Sequence, residues 1–172
     1  MRAEVTELEG TAYHEAGHAV LKCAYGVALR HATIIRDDES EVLGHVAYTI
    51  SPSFHPDYDT SSRTRSRAEA LIMSSMAGRI AEQRSTGIEN LEGAEHDIHW
   101  EVGFASRMTG SSEEAELYLA WLEHRTRRGV EHRWWAIEAV AAELLKRRKL
   151  SAKQVRRVIQ EARTREMQHP RP

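Results

Sequence analysis

Residues 9–18 read EGTAYHEAGH and run on into AVLKCAYG, so His14, Glu15 and His18 sit in a segment that otherwise looks like a buried helix. Two imidazoles and a carboxylate are poor core material, because each polar atom taken from water needs a partner. Apolar and small residues recur at helical spacing up to about Tyr25, and Gly26 is placed to stop the helix. Thr6 with Glu9 predicts a capping box near its start. On such a helix, positions i and i+4 share a face. Two imidazole nitrogens can therefore reach one Zn²⁺ at about 2.0–2.1 Å. The Glu between them points beside that face and can act as general base toward a water whose pKa the ion lowers to about 7. Gly17 removes a side chain inside the motif, which allows another element to approach closely.

The chain holds 10 histidines, so the HExxH spacing alone is a weak signal, and its helical, small-residue setting is what strengthens it. A length of 172 residues suits one compact domain. With 41% hydrophobic and 29% charged residues, the chain is not wholly disordered. A formal net charge of -2 gives no field favouring nucleic acid or membranes. The single cysteine, Cys23, allows no intramolecular disulfide. There is no signal-like h-region, no run long enough for a membrane span and no GxxxxGK[ST] phosphate loop. A cytoplasmic setting is the expectation.

Downstream, HATII and GHVAYTI flank the charged, turn-like RDDESEVL, which reads as a β-hairpin. SPSFHPDYDTSSR is a loop. Ser66 with Glu69 predicts a capped helix that closes near Gly87. A third helix over 94–108 is expected to place Ile98, Val102 and Ala105 on its packed face. Ser111 with Glu114 opens a fourth, EHRWWAIEAVAAELLKRRK forms a fifth, and Ser151 with Gln154 opens a sixth. The expected fold is mainly α, with a small sheet inserted after the HExxH helix. It forms a single domain over 1–167 with a frayed tail at 168–172.

A catalytic zinc usually takes three protein ligands. Two downstream carboxylates stand out: Glu82 in AGRIAEQ and Asp97 in EGAEHDIHWEV. Periodicity does not choose between them, and an acid in a helix's first turn also suits the helix dipole. His96 and His99 flank Asp97, where hydrogen bonds to a ligand or intermediate compete with simple solvation. Cys23 reads as a buried inert thiol. Of Trp134 and Trp135, one is expected in the core and the other at a surface contact. The basic C-terminal stretch around KRRK reads as a solvated helix face.

Several of these segments, in this order, resemble the peptidase domain of FtsH-type zinc metalloproteases. YHEAGHAV resembles the family's metal helix, and HATII with LGHVAYT resembles its strand pair. AGRIAEQ is similar to a GGRAAEE-like segment, GAEHDI to a GASNDL-like one, and LLKRRKLSAKQVRRVI to its C-terminal helix pair. The resemblance implies zinc held by His14, His18 and Asp97, with Glu15 as base and Glu82 orienting a ligand histidine. It also implies a peptide or unfolded-protein substrate. Departures are the missing ATPase module and membrane anchor, the lack of Pro-Arg-Gly after TII, Ala77 for the first Gly of the pair, and Gln83 for an acid. The expected function is therefore a stand-alone, ATP-independent zinc metalloendopeptidase. A separate ATPase or a homo-oligomer are its conceivable partners, and nucleic acid is not one. The alternative is a catalytically inactive module of the same fold that binds peptides or protein partners.

Overall fold

The computed structural model describes residues 2–35, 44–52 and 54–169. Among them are nine elements: α1 (Arg2–Ala24), β1 (Ala28–Thr33), β2 (His45–Thr49), α2 (Ser62–Thr86), α3 (Glu95–Met108), α4 (Ser112–His132), α5 (Trp134–Arg147), β3 (Lys149–Ser151) and α6 (Ala152–Gln168). The fold is mainly α with one small antiparallel sheet, as expected. The expected turn at 36–43 lies outside the described residues, as does most of the tail.

The helix ends show how local chemistry sets these bounds. Gly26 takes φ 71 after α1, its N–H reaches the Cys23 carbonyl, and the Val27 N–H bonds the Lys22 carbonyl at 2.9 Å. This left-handed turn satisfies carbonyls that the helix leaves free. Gly87 does the same for α2 at φ 74, its N–H bonding the Gln83 carbonyl. Ser151 opens α6 with a complete capping box to Gln154. Ser111 accepts from the Glu114 N–H, but the Glu114 carboxylate turns outward to the Gly110 N–H.

Two expected caps are corrected. Helix α1 starts at Arg2, so Thr6 lies inside it; nothing in RAEVTELE breaks a helix. Helix α2 starts at Ser62 because Ser61 caps it and Asp59 accepts from the Ser61 N–H. Ser66 is then interior, and Glu69 instead accepts from the Tyr118 hydroxyl at 2.8 Å.

Helix α1 is the central element, packed between α2 and α5. Ala12, Ala16, Ala19 and Leu21 are fully buried. The Gly17 expectation holds: a Cβ there would stand 2.3 Å from the Ala77 carbonyl oxygen of α2. The sheet runs in the order β2-β1-β3. Strand β3 was not expected from sequence. Its Leu150 pairs opposite Ala32 of β1, both fully buried, and ties the C-terminal helices to the sheet.

Helix α3 departs from its expected face. Val102 is exposed, while Glu101 and Ala105 are buried. Glu101 turns inward to Arg79 of α2, and Trp100 stacks on Phe104, which stacks in turn on Phe54 of the loop.

Candidate metal centre

The centre is built where α1 crosses α2 and the first turn of α3 closes over them. His14 and His18 are less than a tenth exposed. Each imidazole is held through Nδ1 by a different acceptor on α2. His18 Nδ1 donates to the Ser74 carbonyl at 2.8 Å, and His14 Nδ1 donates to Glu82 Oε2 at 2.8 Å. Glu82 is itself held by the Asn90 amide, which donates to its Oε1 at 2.9 Å. Burial would raise the Glu82 pKa, but hydrogen bonds from His14 and Asn90 hold it below the usual range.

With both Nδ1 protons committed, both Nε2 atoms turn to the same point. Asp97 Oδ2 lies 3.2 Å from His14 Nε2 and 3.1 Å from His18 Nε2. Ser75 Oγ donates to the other oxygen, Oδ1, at 3.3 Å. The three facing atoms lie within 4.8 Å of one another. Two neutral imidazole lone pairs aimed at a carboxylate oxygen repel unless a proton or a cation sits among them. Ligand atoms around a tetrahedral ion with bonds of about 2.0–2.1 Å stand roughly 3.3 Å apart, close to the spacings seen here. The residues therefore fit a divalent metal ion such as zinc.

The electrostatics agree. Burial alone would lower the His14 pKa, but hydrogen bonds to Asp97 and Glu82 raise it to about 10. Burial would raise Asp97, but the His18 charge and the hydrogen bonds from both histidines hold it well below the usual carboxylate range. Without an ion, protons take its place, and a metal would compete with them.

Close approach depends on glycine. A Cβ on Gly78 would stand 2.5 Å from His18 Nε2 and 2.7 Å from His14 Nε2. The bare α2 backbone at this point leaves the converging Nε2 atoms room.

Glu15 is 5% exposed and turned toward the start of β2, where a Cβ on Gly44 would stand 3.0 Å from its Oε1. Its Oε2 is buried with no hydrogen-bond partner among the described residues. Burial raises its pKa. Glu15, His14, His18 and Asp97 all line one cavity of about 290 Å³, walled also by His45, Val46 and Tyr48. A carboxylate with one buried oxygen free of hydrogen bonds beside such a donor set is placed to accept a proton from something in that cavity.

Sequence reasoning named His14, Glu15, His18, Glu82 and Asp97, and the fold brings all five together. Periodicity alone left open which downstream carboxylate faces the Nε2 atoms, and the family resemblance implied Asp97; here Asp97 Oδ2 lies by both Nε2 atoms and Glu82 takes the Nδ1 side of His14. His96 lines the cavity, while His99 is exposed. Cys23 is half-buried, and burial raises its thiol pKa. Trp134 and Trp135 are both half-buried; Trp134 stacks on Tyr13. Missed were Ser74, Ser75, Asn90 and Lys22. The paired serines in the otherwise apolar IMSSMAG were a readable signal.

A histidine pair one turn apart on a buried helix, met by a carboxylate from a later helix, is the donor arrangement of a metallopeptidase-type centre. The sequence comparisons agree. The model for peptidase family M41 matches residues 2–114, more than half of the chain, and the chain belongs to that family. It is 38% identical over 101 residues to an ATP-dependent zinc metalloprotease FtsH of Rickettsia bellii, a match covering 57% of this chain and 15% of that protein. It is 35% identical over 103 residues to the ATP-dependent zinc metalloprotease YME1L1 of mouse and of human, covering 13% and 12% of those proteins. The match thus spans a small fraction of the length of these relatives. No helix among the described residues is long and apolar enough to cross a membrane.

Proposed function

We propose that this chain is a zinc-dependent metalloendopeptidase, with His14, His18 and Asp97 as ligands and Glu15 as general base. The observation that carries the reading is the convergence of three acceptor atoms on one point beside Glu15, whose Oε2 is buried without a partner among the described residues. When bound, zinc would supply Lewis acidity, lowering the pKa of water and polarising a carbonyl. Glu15 would take the proton of the attacking water and deliver it to the leaving amine. Glu82 and the Ser74 carbonyl would keep both imidazoles in the tautomer that presents Nε2.

The substrate reading follows from access. Strand β2 lies at one edge of the described sheet, and its Val46 and Tyr48 wall the cavity. An extended peptide could pair with that edge and pass over the centre. The named relatives are ATP-dependent, yet these 172 residues contain no phosphate-binding GxxxxGK[ST] loop. A folded substrate opens its core only at a cost of about 5–15 kcal/mol. This domain by itself would therefore cleave peptides and unfolded segments, with ATP making no difference. Any unfolding would have to come from a separate ATPase or a further part of a longer protein. A cytoplasmic setting and a homo-oligomer are consistent with this reading.

The test is Glu15→Gln, which keeps shape and removes the base. Hydrolysis of an unfolded model protein should fall by roughly two to four orders of magnitude while zinc stays bound. Zinc bound in both forms with hydrolysis by neither would favour the inactive binding module instead.

A further inference from the structure

Lys22 is one of the most buried charged residues of the chain, 5% exposed, and the sequence gives no reason for it beyond a basic residue near a helix end. It follows His14 and His18 at i+8 and i+4, so it continues the same stripe of α1 and lines the same cavity. Its Nζ sits over the Tyr48 ring, 4.4 Å from the centroid. Among the described residues the ammonium makes no hydrogen bond or salt bridge. Asp97 and Glu15 attract it, but neither is within ion-pair distance. Burial lowers its pKa to about 8.

A buried cation without a counter-ion is costly, and Asp97 already faces the histidine pair. Lys22 thus stands on the cavity wall with its Nζ against the Tyr48 ring and no carboxylate within ion-pair distance among the described residues, the arrangement of a group awaiting an anion. One further turn of α1 beyond His18 is a displacement of about 6 Å. That is close to two residues of extended chain, at about 3.3 Å each. We propose that Lys22 is a specificity residue that receives a substrate carboxylate about two residues from the bond presented to the histidine pair. The carboxylate would be either the peptide's C-terminus or an Asp or Glu side chain. The proposal rests on the peptidase reading above for what occupies the cavity. Tyr48 confines the ammonium to one place, and a compact point charge discriminates by charge rather than by shape.

The experiment uses the full chain loaded with zinc and three kinds of peptide of one unstructured sequence, the third kind being a positional series. The first is neutral and C-terminally amidated, the second has a free C-terminus, and the third is amidated with one Gln replaced by Glu at each position in turn. Binding is measured with Glu15→Gln, which holds peptide without cutting it, and kcat/KM with the unmodified chain. The expected result is about tenfold or greater preference for one acidic peptide over the neutral one, the scale of a hydrogen bond to a charged group. Lys22→Met should abolish that preference in both measurements, and Lys22→Arg should retain most of it. Whichever acidic peptide is preferred identifies the source of the carboxylate. No preference in the unmodified chain, a preference that survives Lys22→Met, or an equal loss on all three peptides would each overturn the proposal. The last of these would place Lys22 at the reacting carbonyl instead. Acid-selective binding in a chain that cuts nothing would keep the Lys22 assignment and remove the peptidase reading. Hydrolysis without acid preference would do the reverse. Failure to bind any of the three would overturn both.

Discussion

Where α1 crosses α2, a single added carbon on Gly17 would stand 2.3 Å from the Ala77 carbonyl oxygen and 2.9 Å from the Ala81 side chain. Where α5 meets α6 and β3, Leu144, Leu150 and Val155 are fully buried and mesh through ordinary apolar side chains. The first region lies within the stretch shared with peptidase family M41, and the second lies beyond it. In the crossing, backbone must touch backbone so that Ser74 and Glu82 reach the two Nδ1 atoms. His14 and His18 each have a hydrogen-bond partner on α2 there. In the C-terminal helices the requirement is only that volume be filled. The half carrying the candidate metal centre is specified by atoms, and the C-terminal half by pattern.

The crossing is most vulnerable at Gly17. Gly17→Ala must push two helix backbones apart, and a loss of about 3 kcal/mol, the upper part of the usual overpacking range, is expected in denaturant unfolding. A change below about 1 kcal/mol would mean the crossing is looser than its glycines imply. Glu82→Gln comes next. It retains the shape but weakens the acceptor on His14 Nδ1, so zinc affinity by competition titration should fall about 10–100-fold. Unchanged affinity would show that the imidazole needs no orienting partner. The smallest effect belongs to the other region. Leu144→Met conserves volume and should cost less than about 1.5 kcal/mol, with zinc affinity unchanged. A large loss of metal there would show that the C-terminal helices position the centre.

The same contrast explains how much could be read from the sequence. Helical spacing and glycine stops placed the helices, and HExxH with two downstream carboxylates named the candidate centre. Periodicity could not decide between Glu82 and Asp97, because their roles depend on which imidazole nitrogen each one meets. That geometry exists only once α2 and α3 are docked. Strand β3 was illegible for a related reason: three residues between α5 and a capping box carry no alternation, and only pairing with β1 makes them a strand. The Thr6 and Ser66 boxes failed because capping chemistry marks where a helix can start, whereas Ser61 and Asp59 offered α2 an earlier start. Lys22 was not singled out, because a basic residue in a helix's last turn is ordinary and sequence does not show that this end is buried against Tyr48.

The identity of the third ligand is tested most directly by zinc content of the purified chain, measured for the unmodified protein, Asp97→Ala and Glu82→Ala. The geometry predicts about one zinc per chain in the unmodified protein, near-complete loss in Asp97→Ala, and retention in Glu82→Ala when zinc is in excess. Loss of zinc from Glu82→Ala with full retention in Asp97→Ala would contradict it.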